Sequence, residues 1–202
     1  MNGSIGFEGT LVATKIPRKE APLSWKIRNW MRPSFLYGLT GTILAHALSK
    51  TFGIPTLLGK LELVHIGGDG TKTHYGVVGR RVVTTAFAEF MVDQLQTETS
   101  QWGDFKYHDS GVGTTAENAS DTDIETTDGE SRATGTQTEG TSVQYVSVGT
   151  IAYTTTKAIT EHGLFSQAAG TTLMDRTVFS AVNVVNGDSI QFTYTLSVTA
   201  GS

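Results

Sequence analysis

Cysteine is absent from the 202 residues, and proline occurs only four times. Without a thiol there is no disulfide scaffold, no thiolate nucleophile, no cysteine-ligated zinc and no iron–sulfur cluster. Charge is scarce as well: Asp, Glu, Lys and Arg make up 17% of the chain, and the formal net charge is −4. Hydrophobic side chains reach 38%, below the usual globular share. Glycine, at 23 residues, fills part of the difference, with threonine and serine supplying the rest. Threonine suits strands and glycine suits turns, so this balance argues against a helical bundle and predicts a loop-rich β protein.

A targeting or spanning segment is also missing. Residues 1–14 lack a basic stretch followed by an apolar core, so no secretory signal is expected. The most apolar stretch, Phe35 to Leu48, is too short for a bilayer and contains Gly38, Gly41 and His46. The expectation is a chain made and assembled in a cytoplasm, without membrane contact.

What is present is unevenly distributed. Residues 1–33 carry Lys15, Arg18, Lys19, Lys26, Arg28 and Arg32 against Glu8 and Glu20. Residues 98–139 reverse the balance, with ten acids against Lys106 and Arg132. The basic segment interleaves its cations with Ile16, Leu23, Trp25, Ile27, Trp30, Met31, Phe35 and Tyr37. Prolines at 17, 22 and 33 discourage one long helix there, although Trp25 to Met31 suits one or two turns. Tryptophan and arginine dominate interface hot spots, so this reads as a partner-binding arm. Stacking on nucleic acid would use the same residue types, but the acidic chain lacks any recognition motif.

Further along, Ile43 to Lys50 reads as a short helix ended before Pro55, and Lys60 to Ile66 as a strand. Gly67-Gly68-Asp69-Gly70 makes the turn into a partner strand, Lys72 to Val83. Thr84 or Thr85 caps a helix near 84–97, since Val83, Phe87, Phe90, Met91 and Leu95 recur at helical spacing. Beyond Phe105 the period becomes two. Lys157 to Phe165 is a strand, and Ile190, Phe192, Tyr194, Leu196 and Val198 alternate with polar residues. Asn186-Gly187-Asp188 predicts a hairpin joining that strand to Thr177–Val185. One apolar face per strand implies sheet packed on sheet or on helix. Residues 111–140 read as a long acidic loop without the apolar residues to hold itself in place.

Two parts follow: residues 1–60, an extended basic and aromatic arm with short helices, and residues 61–202, a β-sandwich domain with one packed helix. The fold class is mainly β, an antiparallel, jelly-roll-like sandwich. Chemistry is harder to find. The histidines at 46, 65, 74, 108 and 162 have no metal-binding spacing. Asp121, Asp123 and Glu125 imitate the start of a calcium loop, but Thr126 replaces the turn glycine and Arg132 the bidentate glutamate. No Gly-x-Ser-x-Gly elbow and no phosphate loop occurs. The sequence therefore predicts no catalytic residue, no cofactor and no metal, and hence a protein that is not an enzyme.

One resemblance adds to this. Arg80-Arg81-Val82-Val83-Thr84-Thr85-Ala86 and Lys106-Tyr107-His108-Asp109-Ser110-Gly111-Val112-Gly113 resemble a family of tailed-phage virion proteins. So do Ile159-Thr160-Glu161-His162-Gly163-Leu164-Phe165, Leu173-Met174-Asp175-Arg176-Thr177 and, most characteristically, Val185-Asn186-Gly187-Asp188-Ser189-Ile190-Gln191-Phe192. The similarity covers about residues 75–202. It implies a β-sandwich virion component, with a capsid decoration (cement) role favoured over a tail, collar or fibre-associated one. A carbohydrate-binding virion module is a further alternative. The implied partners are the major capsid protein and copies of the chain itself, a trimer suiting three-fold positions, with neither nucleic acid nor membrane. The implied location is the capsid surface. Trp25, Arg28, Trp30, Arg32, Phe35 and Tyr37 are the expected contact residues.

Overall fold

The computed structural model describes residues 19–52, 56–81, 83–96, 105–141, 143–170 and 172–199. Pro17, and with it the start of the predicted arm, lies outside the described residues.

Prolines punctuate the first elements. After a two-residue strand, β1 (Lys19–Glu20), Pro22 occupies the N-cap of helix α1 (Leu23–Trp30), and Pro33 opens helix α2 (Pro33–Phe52). Both are positions where a missing N–H leaves no helical hydrogen bond unmade. The chain then forms β2 (Thr56–Ile66), β3 (Lys72–Arg81), α3 (Thr85–Gln96), β4 (Tyr107–Gly111), β5 (Ala133–Thr134) and β6 (Thr136–Glu139). It continues with β7 (Gln144–Ala152), β8 (Lys157–Phe165), β9 (Leu173–Val184) and β10 (Ser189–Thr199). The protein is mainly β. Its described strands form a six-stranded sheet, ordered β1-β3-β2-β10-β7-β6, and a four-stranded sheet, ordered β5-β4-β8-β9. Apart from the parallel β1–β3 pair, the strand pairs are antiparallel.

Alternation along the strands builds one core from both sheets. Leu61 and Leu63 of β2 and Ile190 and Phe192 of β10 gather with Ile159 of β8 and Phe179 and Val182 of β9. Helix α3 adds Phe87, whose ring meets Phe105 edge-on with centroids 5.1 Å apart. Thr84 caps α3 as predicted, its hydroxyl accepting the Phe87 N–H at 3.2 Å.

Two expectations need correction. The helix predicted over Ile43 to Lys50 spans Pro33–Phe52, because Gly38 does not interrupt it. That glycine lets α2 lie against β3: a β-carbon there would overlap the Arg80 carbonyl oxygen. Strands β9 and β10 are not a hairpin, since β9 pairs with β8 whereas β10 pairs with β2 and β7. The Asn186-Gly187-Asp188 turn forms, with Gly187 at φ +91°, but it carries the chain from one sheet to the other. The reason is Asp188. Its carboxylate accepts the Gly68 N–H at 2.9 Å and the Val185 N–H at 3.0 Å, and it lies 2.9 Å from His65 Nε2. The turn is thereby drawn onto the β2–β3 turn instead of closing its own ladder.

Among the described residues, no helix is long and apolar enough to cross a membrane.

Candidate interaction surface

Helix α1 lies beside β3 of the six-stranded sheet and edge strand β9 of the four-stranded sheet. Trp25, Asn29 and Arg32 fall at i, i+4 and i+7, which places them on one side of the helical path. Trp25 Nε1 donates to the Ala181 carbonyl at 2.9 Å, and Arg32 Nη1 donates to the Phe179 carbonyl at 3.0 Å. Between them Asn29 accepts the Ser180 N–H at 2.9 Å and donates to the Val78 carbonyl at 3.0 Å. Three successive residues of edge strand β9 thus find partners on α1 and the turn that follows it, and β3 is tied to the same helix. Unpaired edge groups invite other strands, and a polar helical side covers them here. Burial lowers the pKa of Arg32, yet the guanidinium stays anchored on a carbonyl.

The six predicted contact residues therefore divide. Trp25 is buried, its ring edge-on to Tyr75 at 4.6 Å, and Arg32 is half-buried against β9; both serve the chain itself. Phe35 is half-buried beside Trp30, Leu36, Leu39 and Tyr75 in an open cleft of about 550 Å³ between α1, α2 and β3. Arg28, Trp30 and Tyr37 are exposed. Around Trp30 and Tyr37, the side chains of Met31, Leu36, Ile43 and Leu44 complete an apolar surface, all six being between 48% and 77% exposed. Helix α2 is apolar over much of its circumference while only one side rests on β3. An open apolar surface of this kind is a candidate interaction site.

Sequence reasoning missed two buried polar clusters. The predicted acidic loop, expected to lack anchors, is gathered around a buried carboxylate. Glu161 of β8, fully buried, accepts the N–H groups of Gly113 at 2.8 Å, Glu125 at 2.9 Å and Thr126 at 2.9 Å. Its charge is met by Arg176 of β9, with Nε 2.8 Å from Oε2. Arg176 also reaches Asp121 at 2.9 Å and Glu125 at 3.4 Å. Burial alone would lower the Arg176 pKa, but hydrogen bonds to Asp121 and Glu161 outweigh it and raise the value. Two of the three carboxylates that imitate a calcium loop are thus engaged by a guanidinium, and the third, Asp123, lies 3.4 Å from Arg132. No group of three or more potential metal ligands converges among the described residues. The visible signal was a glutamate and an arginine inside otherwise inward-facing strands, where a charge needs a partner.

The second cluster joins residues that looked scattered. His108 Nδ1 and His162 Nε2 are 2.9 Å apart, and His108 Nε2 is 2.8 Å from Ser147 Oγ. Gly135 and Gly149 make room for the His108 ring, since a β-carbon at either would strike it. A serine against an imidazole has the geometry of a nucleophile and its base. Here all three side chains are 0% exposed and the His162 ring lies 4.5 Å from Phe192, so no substrate reaches them. Desolvation lowers the pKa of His108 to about 4 and that of His162 well below its ordinary value. Both rings are neutral at pH 7, and the cluster is a core element.

In comparisons with family models, with curated proteins and with solved structures, nothing matches this chain.

Proposed function

We propose that the protein is a non-enzymatic virion component of a tailed phage, a capsid decoration (cement) protein that binds the major capsid protein on the outer face of the shell. In this proposal the two sheets form a jelly-roll-like β-sandwich standing outward, and the α1–α2 surface faces the shell. The observation that carries it is that surface: Trp30, Met31, Tyr37 and Ile43 are left open on helices whose other side is fixed to β3 and β9. The resemblance over residues 75–202 supplies the virion setting. Contacts made only in the assembled particle stabilise it by linkage, and repetition around a local axis gives a homo-oligomer, a trimer at three-fold positions.

Copy number per particle, measured against the major capsid protein, tests the assignment. Hundreds of copies are expected, and a few copies in a ring would move the protein to the tail or collar. Binding of the purified chain to empty shells tests the surface. The Trp30→Ala/Tyr37→Ala variant is expected to lose at least tenfold in affinity while its thermal midpoint stays unchanged. Undiminished binding by that variant would overturn the assignment of the surface.

A further inference from the structure

A second recess lies on the other side of α1, and its lining has a different character. It is an open cleft of about 470 Å³ between β1, the start of α1, the end of β2, β3 and the outer side of β9. Lys19, Arg28 and His65 border it together with the polar side chains of Ser24, Thr73 and Asn183, and no aspartate or glutamate is among its lining residues.

Lys26 is 3.1 Å from Glu20, Lys60 is 3.1 Å from Glu62, Lys157 is 2.8 Å from Glu130, and Arg132 and Arg176 each hold carboxylates. Lys19 and Arg28 have no such partner among the described residues. Strand alternation separates Lys19 from its neighbour Glu20, whose carboxylate turns to Lys26. Asp188, beside the cleft residue His65, holds His65 Nε2 while its oxygens accept the Gly68 and Val185 N–H groups. That contact fixes the imidazole by one nitrogen and leaves Nδ1 free of it. Pro22 at the N-cap of α1 also brings no carboxylate to the mouth. Lys19 and Arg28 border one cleft whose lining has no carboxylate, and an anion held between like charges lowers their mutual repulsion. Lysine supplies a point charge and arginine a fork suited to two oxygens of one planar or tetrahedral group. Thr73 and Asn183 add neutral hydrogen-bonding groups, and the cleft volume matches a small molecule.

We propose that this cleft binds an oxoanion, the carboxylate or phosphate group of a small polar ligand, between Lys19 and Arg28. It is separate from the apolar surface of α1–α2 and does not depend on the virion assignment.

Calorimetric titration of the full chain at low salt tests it, with inorganic phosphate, D-glucuronate and uncharged D-glucose as separate probes. Saturable one-site binding of phosphate, glucuronate or both is expected, with none for glucose. Tighter binding of glucuronate assigns the ligand to carboxylate-bearing sugars, and tighter binding of phosphate to phosphate-bearing ligands. Lys19→Gln/Arg28→Gln should weaken binding at least tenfold, and the remote control Lys106→Gln should leave it unchanged. Far-UV circular dichroism checks that the double variant is folded, and amide shifts of Thr73 and Asn183 on titration of the parent chain locate the site independently. Absence of saturable binding by both anions, equal affinity in the double variant, or shifts confined to other regions would overturn the proposal.

Discussion

Asn29 Oδ1 accepts the backbone N–H of Ser180 at 2.9 Å, across 151 positions of sequence. The same side chain donates to Val78, so one amide group joins helix α1 to β3 of one sheet and edge strand β9 of the other. Replacing it by alanine strands a buried donor and a buried acceptor together. Asn29→Ala is expected to lower stability by about 1–3 kcal/mol, read by urea denaturation. Asn29→Asp keeps the acceptor for Ser180 but repels the Val78 carbonyl, and should be no less harmful.

Trp25 and Tyr37, both aromatic residues of the helical segment, should behave oppositely. Trp25 is buried with its indole N–H on Ala181, whereas Tyr37 is 77% exposed. Trp25→Ala is expected to cost about 3–5 kcal/mol in chemical denaturation. Tyr37→Ala should stay within about 0.5 kcal/mol of the parent, its effect appearing only in binding to a partner. Equal losses in the two variants would contradict the division of roles between α1 and the open surface.

Glu161 is a sharper test of the loop anchor. Glu161→Gln places an amide donor among three backbone donors and leaves Arg176 without its buried counter-charge. A loss of about 3–5 kcal/mol is expected, with new protease sensitivity between residues 113 and 126. Many buried ion pairs tolerate joint replacement by apolar residues. This one should not, because Glu161→Leu/Arg176→Leu still orphans the N–H groups of Gly113, Glu125 and Thr126.

The histidine pair predicts an acid limit to stability. His108 has its folded pKa depressed from 6.5 to about 4, so between those values the unfolded chain binds a proton that the folded chain refuses. Stability contributed this way is present above pH 6.5 and falls as pH drops toward 4, by up to about 3 kcal/mol from His108. His162 shifts in the same direction and extends the loss lower. Glu130, held at about 2 chiefly by its hydrogen bond to Lys157, contributes stability lost only below about pH 4.5. His108→Gln, followed by denaturation at several pH values, should therefore roughly halve the slope between pH 4 and 6.5, since His162 still refuses a proton there, and leave the loss below it.

Much of this architecture is written locally. The cap at Thr84, the stripe through Phe87 and Phe90, and the strict alternation from Ile190 to Val198 each depend on neighbours a few residues away. The roles of Trp25 and Arg32 do not, because their partners are backbone carbonyls of Ala181 and Phe179, and a carbonyl leaves no mark in composition. Asn29 passed unnoticed for the same reason. The turn at Asn186-Gly187-Asp188 is instructive: its residues specify a turn, while the choice of ladder belongs to Asp188 and the distant Gly68 N–H. The open surface on α2 was legible only as apolar content, since what a helix leaves uncovered depends on the sheet beneath it.

Strand β10 lies in the interior of the six-stranded sheet, paired with β2 on one side and β7 on the other. It is also the last of the described strands to be synthesised. At about 5–20 residues per second, roughly 6–27 s separate the completion of β2 from the arrival of β10. Throughout that interval β2 lacks its β10 neighbour, and β7, once made, lacks the same one. A nascent chain in this state is exposed to pairing with its neighbours on the same polysome, and chaperone capture at that stage, more than the stability of the finished fold, would then govern how much protein accumulates.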